Sequence, residues 1–482
     1  MIAKKIILAL VLCASAAALG EPAEKCYTIE NVAGPDGAAL EVGGMDWMPD
    51  GRLAVCTRRG EVWMGREKEG GKFEWKRFAA GLQEALGILH GESNDTVYVM
   101  QRPELTRLVD RDGDGVADRY ETVCAAWGFS GNYHEFAYGP VRDREGNFVG
   151  SLNLSHHPDD WGGAFMGVAP GTKYRGWNFK VTKDGQFIPW AVGLRSPNGI
   201  GVSPDGEIFA TDNQGEFVGT GVLYHIQQNH FYGHPSSLVD NKDWRPDPKA
   251  TTIEELDKRR TKPVVMFPYG KMGQSQSEPR WDTTGGKFGP FAGQIFVGDV
   301  QIPILMRCFI EKVGGEWQGA CFPFLEDKKL QGANRLLWEE SGSLLVGVTD
   351  RGWVKGASGI VRVRWTGAVP LEILKMELTP AGFDLTFTKP LDPATAGNPG
   401  SYSVLHYHYE YHKQYGSPEM EKTPVKVRKA RISEDGRKVS LDLGQVLAGK
   451  VYAVEVKGLK AVDGAEVRNG VGYYTVNRLS EP

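Results

Sequence analysis

One short pattern organises most of the chain. A polar turn, usually with glycine, introduces a run of apolar residues. It appears at Pro49-Asp50-Gly51 before Leu53-Ala54-Val55, and without glycine at Ser93-Asn94-Asp95 before Thr96-Val97-Tyr98-Val99. It returns at Arg144-Glu145-Gly146-Asn147 before Phe148-Val149, and at Ser203-Pro204-Asp205-Gly206 before Ile208-Phe209-Ala210. Two more copies run through Gly293 into Ile295-Phe296-Val297 and through Ser341-Gly342 into Leu344-Leu345-Val346. The copies recur roughly 45 to 60 residues apart, with one interval of about 90, a spacing that predicts the blades of a β-propeller. Six copies predict six blades. The polar, irregular stretch 240–262 reads as an insertion in the long interval.

After Trp365-Thr366-Gly367 the repeat stops and alternating strands take over, such as Phe383-Asp384-Leu385-Thr386-Phe387 and Val451-Tyr452-Ala453-Val454-Glu455-Val456. Turns at Ser433-Glu434-Asp435-Gly436 and Asp463-Gly464 separate them. About a hundred residues of short strands predict an immunoglobulin-like β-sandwich. At the other end, Lys4 and Lys5 precede an apolar run over 6–18, and Ala18-Leu19-Gly20 offers a cleavage site, the layout of a secretory signal. The predicted organisation is an all-β chain: signal peptide 1–20, six-bladed propeller 21–368, sandwich 369–482. No later segment is long and apolar enough to span a bilayer, so no membrane span is expected after signal cleavage. The expected location is outside the cytoplasm, periplasmic or secreted.

Composition sharpens this picture in three places. The 62 glycines, with 27 prolines and 13 tryptophans, suit many turns between aromatic-rich strands. The 56 basic residues against 60 acidic ones, a net charge of -4, argue against nucleic acid as a partner. No Cys-x-x-Cys occurs among the six cysteines, which removes a zinc ribbon, a thioredoxin motif and a covalent haem site. Export permits disulfides, and Cys308 and Cys321 flank the Gly314-Gly315 turn where they could pair across a hairpin.

The segment from Asp110 to Glu121 has the spacing of a calcium loop. Carboxylates stand at Asp110, Asp112, Asp114, Asp118 and Glu121, Gly115 allows the sharp turn, and Val116 would offer its carbonyl. The preceding residues read as strand, so the expected ion is structural Ca2+ in a loop between strands. A solvated acidic turn is the plainer reading.

Two further segments carry the candidate chemistry. One is Tyr133-His134-Glu135-Phe136-Ala137-Tyr138-Gly139-Pro140. The other is Gly193-Leu194-Arg195-Ser196-Pro197-Asn198-Gly199, followed by Asp212-Asn213-Gln214-Gly215-Glu216. A histidine before an apolar-Gly-Pro turn, then Gly-x-Arg-x-Pro-x-Gly and an acidic-amide pair, resembles the glucose/sorbosone dehydrogenase family. These are soluble quinoprotein sugar dehydrogenases and their exported relatives of membrane-bound-dehydrogenase type. The resemblance covers about residues 40 to 365. Ser196 stands where the family has asparagine.

The resemblance implies an enzyme oxidising a sugar or sugar-derived alcohol with pyrroloquinoline quinone (PQQ) and an external electron acceptor. It casts His134 as general base, a role suited to an imidazole that titrates near neutrality. It casts Arg195 as the clamp on a carboxylate or quinone oxygen. Asp212, Asn213, Gln301 and Arg335 take cofactor-binding positions. Gln301 replaces a basic residue of the family, and Arg335 is the sole counterpart of an Arg-x-Arg pair, so the cations that a polycarboxylate quinone needs are thinned. Plainer roles stand beside these: a hydrogen-bonded loop histidine for His134 and a clamp on backbone carbonyls for Arg195. Two other functions use the same mouth. In a glycan lyase or hydrolase, His134 would work with Tyr133, Glu135, Asp212 or Glu216. In a non-catalytic glycan-binding propeller, aromatics such as Trp177, Trp281, Trp353 and Tyr232 would stack on sugar. His406, His408 and His412 alternate on one strand face and leave room for a metal site.

Overall fold

The computed structural model describes residues 26–162, 165–350 and 358–481. The proposed signal, 1–20, and Trp353 lie outside them. The chain is almost wholly β-structure. Its first part forms six antiparallel sheets of four strands each, the fifth extended by C-terminal strands and the sixth completed by the N-terminal strand. Their innermost strands are Val42–Trp47, Gly87–His90, Ala137–Arg142, Gly199–Val202, Gln276–Trp281 and Ala333–Trp338. Each of these contacts the innermost strands of the sheets before and after it, and the sixth contacts the first, so the sheets close into a ring. The closure is made by the two ends of this region. Tyr27–Val32 is the outermost strand of the sixth sheet and pairs antiparallel with Gly359–Trp365.

The repeated turn explains this architecture. In every copy it joins the innermost strand to the second strand of its sheet. Gly51 and Gly206 sit there at φ 80° and 79°, a conformation that costs other residues about 1–2 kcal/mol. The strands that follow are buried at every position: Leu53–Thr57, Thr96–Met100, Phe148–Leu152, Ile208–Asp212, Ile295–Asp299 and Leu344–Val348. That is why they read as near-continuous apolar runs, since each second strand is covered by a neighbouring sheet on both faces. Near the axis the strands approach closely. A Cβ on Gly87 would lie 1.5 Å from the carbonyl oxygen of Gly139.

The insertion is real and wider than the sequence suggested. It runs between Gly221–Ile226 and Val265–Phe267 and holds the helix Ile253–Arg259, opened by a Thr252/Glu255 capping box.

The last part of the chain forms two sheets packed around Phe383, Leu385, Tyr452 and Tyr474. One contains Ile373–Thr379, Gly382–Phe387, Lys438–Asp442 and Lys429–Ile432. The other is not separate from the ring. The outermost strand of the fifth sheet, Glu316–Glu326, pairs with Val471–Val476 through Gly319–Thr475, Ala320–Tyr474 and Cys321–Tyr473. Lys450–Val456, Tyr402–His408 and Met420–Val425 continue it, making one eight-stranded sheet.

The five described cysteines are free thiols, so Cys308 and Cys321 do not take the pairing their hairpin would allow. The two residues do face each other across the hairpin. However, Cys321 Sγ turns toward the carbonyl of Met266, 3.8 Å away. Burial pushes both thiols far up from their ordinary range.

Candidate active site at the mouth of the ring

In an antiparallel meander, loops entering the innermost strand and loops joining the second strand to the third lie on the same face of the ring. His134 precedes Ala137–Arg142, and Arg195 precedes Gly199–Val202. Asp212 ends Ile208–Asp212, the second strand of the fourth sheet. All three therefore lie at one mouth.

The peptide units of Leu154 join the two main candidates. The Leu154 amide donates to the Arg195 carbonyl at 3.0 Å. His134 Nδ1 lies 2.8 Å from the Leu154 carbonyl. A carbonyl can only accept, so Nδ1 carries the proton and the neutral ring keeps its lone pair on Nε2. The loop around the ring is firmly held. Asn132 Oδ1 accepts from the His134 amide at 3.1 Å and the His156 amide at 3.0 Å. Arg102 donates to the carbonyls of Asn132 and Tyr133 and packs on Phe136. The rings of Tyr133 and His156 lie 5.8 Å and 6.5 Å from that of His134.

The neighbouring acids are committed. Glu135 is buried and accepts from the Ser130 amide and the Ser130 and Ser155 hydroxyls. Asp212 is also buried and accepts from the amides of Arg195, Ser196 and Asn213 at 2.8, 2.7 and 3.0 Å. Burial nevertheless outweighs these bonds and pushes its carboxyl up to about 6. Asp299 does the same work in the fifth sheet, accepting from the amides of Gln274, Ser275, Gln301 and Ile302. Asp212 is thus a structural staple that recurs in the fifth sheet. Asn213 shares that turn, and its side-chain oxygen is buried. Gln301 is half-buried and spends its carbonyl on Gln331.

The cations are committed as well. Arg195 Nε pairs with Glu216 at 2.8 Å, both side chains being buried. Arg335 donates to the carbonyls of Gly43, Leu86 and Asn334 at 2.8, 2.9 and 2.7 Å. It ties three sheets together at the axis. The aromatics expected to meet sugar are also structural. Trp177, Trp281 and Tyr232 are buried, and Trp177 Nε1 donates to the Ser237 carbonyl. The exposed aromatics of this face are instead Tyr133, Phe165, Tyr269 and Tyr415. His234, in the Tyr232-Gly233-His234-Pro235 segment that the sequence also offers for the mouth, is fully buried against Phe217, with no hydrogen-bond partner for either ring nitrogen among the described residues. Burial, then Arg195, hold its pKa far below the usual range.

The acidic loop lies away from the mouth, between Leu105–Val109 and Arg119–Cys124. Carboxylate oxygens of Asp110, Asp112 and Asp118 lie within 4.8 Å of one another. Asp110 also accepts from the amides of Gly113 and Gly115, as a wrapped loop requires. Glu121 does not join them. It lies in the outer strand and pairs with Arg107 at 2.9 Å. Asp114 turns its carboxylate to the Val116 amide. Among the described residues, the C-terminal histidines form no metal cluster. His408 meets Lys450 and Glu421 instead.

No protein-family model and no curated protein matches the sequence. Solved structures do match in shape. An oxidoreductase described as a glucose dehydrogenase from Thermus thermophilus superposes with a TM-score of 0.50 at 18% identity, over 70% of this chain and 99% of its own. A structure titled glucose dehydrogenase superposes at 0.51 and 15% identity, over 71% and 100%. The fold is glucose/sorbosone dehydrogenase-like. A Trichoderma reesei structure of carbohydrate-active enzyme family AA12 matches at 0.52 and 12% identity, over 71% and 96%. The matched share of this chain is about what its ring occupies.

Proposed function

We propose that the protein is an exported six-bladed propeller with a C-terminal immunoglobulin-like sandwich, and that its mouth dehydrogenates a sugar or sugar-derived alcohol with His134 as general base. The observation that carries the reading is the bond from His134 Nδ1 to the Leu154 carbonyl. It fixes the tautomer with Nε2 as the basic atom, beside the segment that carries Arg195. Nε2 would take the hydroxyl proton as the C–O bond gains double-bond character, and the hydride on the same carbon would pass to an external two-electron acceptor.

A lyase or hydrolase would need a second acid or base near His134. Glu135, Asp212 and Glu216 are held by hydrogen bonds or an ion pair, which favours chemistry needing a single protein base. Of the partners named for that second reading, only Tyr133 is exposed.

The resemblance names PQQ as the acceptor. Its carboxylates call for free cations. Among the described residues, Arg195 is neutralised by Glu216 and Arg335 is spent on carbonyls. The described donor set does not fit that cofactor. Ca2+ fits the acidic loop better, held by Asp110, Asp112 and Asp118 with Asp114 and Val116 alongside.

The test is sugar-dependent dye reduction by the purified chain, with and without added PQQ, beside calorimetric titration of PQQ. We expect reduction that falls by a factor of about 100 or more in His134→Ala, with the fold retained. No sugar-dependent reduction under either condition would move the reading to non-redox glycan chemistry. Saturable PQQ binding lost in Arg195→Ala would restore the cofactor.

A further inference from the structure

A strap from the C-terminal sheets crosses onto the mouth. It spans residues 409–418, between Tyr402–His408 and Met420–Val425. It leaves its own sheet and lies along the turn 214–219 of the fourth propeller sheet. The Phe217 amide donates to the His412 carbonyl at 3.0 Å, the Gly416 amide to Gly215 at 3.0 Å, and the Ser417 amide to Gly219 at 2.8 Å. Glu216 and Tyr415 form a β-bridge, and the Tyr411 hydroxyl donates to the Gly233 carbonyl.

This anchoring holds an aromatic ring in the open. Tyr415 is 62% exposed, while Arg195 beneath it is 5% exposed, its guanidinium carbon 5.1 Å from the ring centroid. The stack needs glycine nearby, since a Cβ on Gly215 would lie 1.8 Å from Arg195 Nε. Tyr269 stands exposed on the loop entering the fifth sheet. Its loop is tied to the end of the strap by Lys271 Nζ and Glu419, 2.7 Å apart, so the two rings share one side of the mouth. A large apolar ring fixed by main-chain bonds yet left in water is what a ligand surface requires.

We propose that Tyr415, backed by Arg195 and flanked by Tyr269, is the platform on which the mouth receives a neutral, equatorially substituted pyranose ring. The C–H bonds on the faces of such a ring carry slight positive charge and suit the electron-rich face of tyrosine. Arg195 then has a definite role. Its charge is balanced by Glu216, and its plane supports the ring from behind. The substrate site is therefore shared between the ring and the C-terminal sheets. This rests on the reading of the mouth as a sugar site.

The experiment is calorimetric titration of the full chain with cellotetraose, using wild type, Tyr415→Ala and Tyr415→Trp, with melting temperatures to confirm the fold. We expect wild type to bind, Tyr415→Ala to bind about tenfold more weakly or not at all, and Tyr415→Trp to retain binding. Equal affinity in Tyr415→Ala, or no binding by wild type, overturns the platform. Dye reduction on the same samples reports separately on the enzyme. A wild type that binds cellotetraose without reducing dye sinks the dehydrogenase and leaves the platform standing.

Discussion

At the scale of single residues, the mouth separates groups by what they have left to offer. Asp212, Glu135 and Arg335 look like chemistry in the sequence, yet each is absorbed in holding the ring together. Asp212 leaves a measurable trace of this. Its carboxyl has an ordinary value of 3.8 and is pushed up to about 6 by burial, despite three amide donors. A carboxyl with a higher pKa folded than unfolded binds a proton on folding between those values. Its contribution to stability is thus fullest below pH 4 and is lost as pH rises through 6, a change of about 2–3 kcal/mol. Asp212→Asn removes the titrating group. We expect melting temperatures between pH 4 and pH 7 to fall less steeply in this variant than in wild type. Identical slopes would mean that Asp212 titrates near its ordinary value.

At the scale of elements, the acidic loop between Leu105–Val109 and Arg119–Cys124 makes the clearest prediction. Arg111 pairs with Asp118, and Lys76 reaches the Asp114 carbonyl, so two cations already neutralise the cluster. If Ca2+ replaces Arg111 on Asp118, chelation lowers the melting temperature by several degrees, and Asp112→Asn abolishes that difference. A melting curve indifferent to EGTA would leave the loop a solvated turn. Much of the element order was legible because one local device recurs: a turn, often with a left-handed glycine, before a strand buried on both faces. His134 and Arg195 stood out for a different reason, as short motifs resembling a known family, and the structure puts both at the mouth. Their link through Leu154 was not, because it joins three separate segments by main-chain bonds without a signature of their own. Tyr415 was hidden further still. Its neighbours read as a polar loop of another domain, and only the pairing with 214–219 brings it to the mouth. Of the aromatics singled out in sequence, Trp177, Trp281 and Tyr232 are buried, as large rings commonly are.

At the scale of the whole molecule, the eight-stranded sheet makes the two parts mechanically one. The core of the C-terminal sheets includes Val313, Ala320 and Phe322 from the fifth propeller sheet. Arg307, fully buried, donates to Gln294 within that sheet and pairs with Glu372 outside it. We therefore expect a single cooperative transition in calorimetry. We also expect a chain ending at residue 368 to be recovered aggregated, because its outer strand Glu316–Glu326 would be an unpaired apolar edge. Two resolved transitions, or a soluble truncated ring, would show that the parts fold independently.

The pairing of Tyr27–Val32 with Gly359–Trp365 also sets a timetable. The strand made first must wait for the strand made more than three hundred residues later. At the ribosome's pace of about 5–20 residues per second, that is some tens of seconds. For all of that time the nascent chain has an open ring and an unmatched leading strand. A ring that cannot close before residue 365 is made stays open through about the first three-quarters of synthesis, and its leading edge must stay unpaired with anything else for that long.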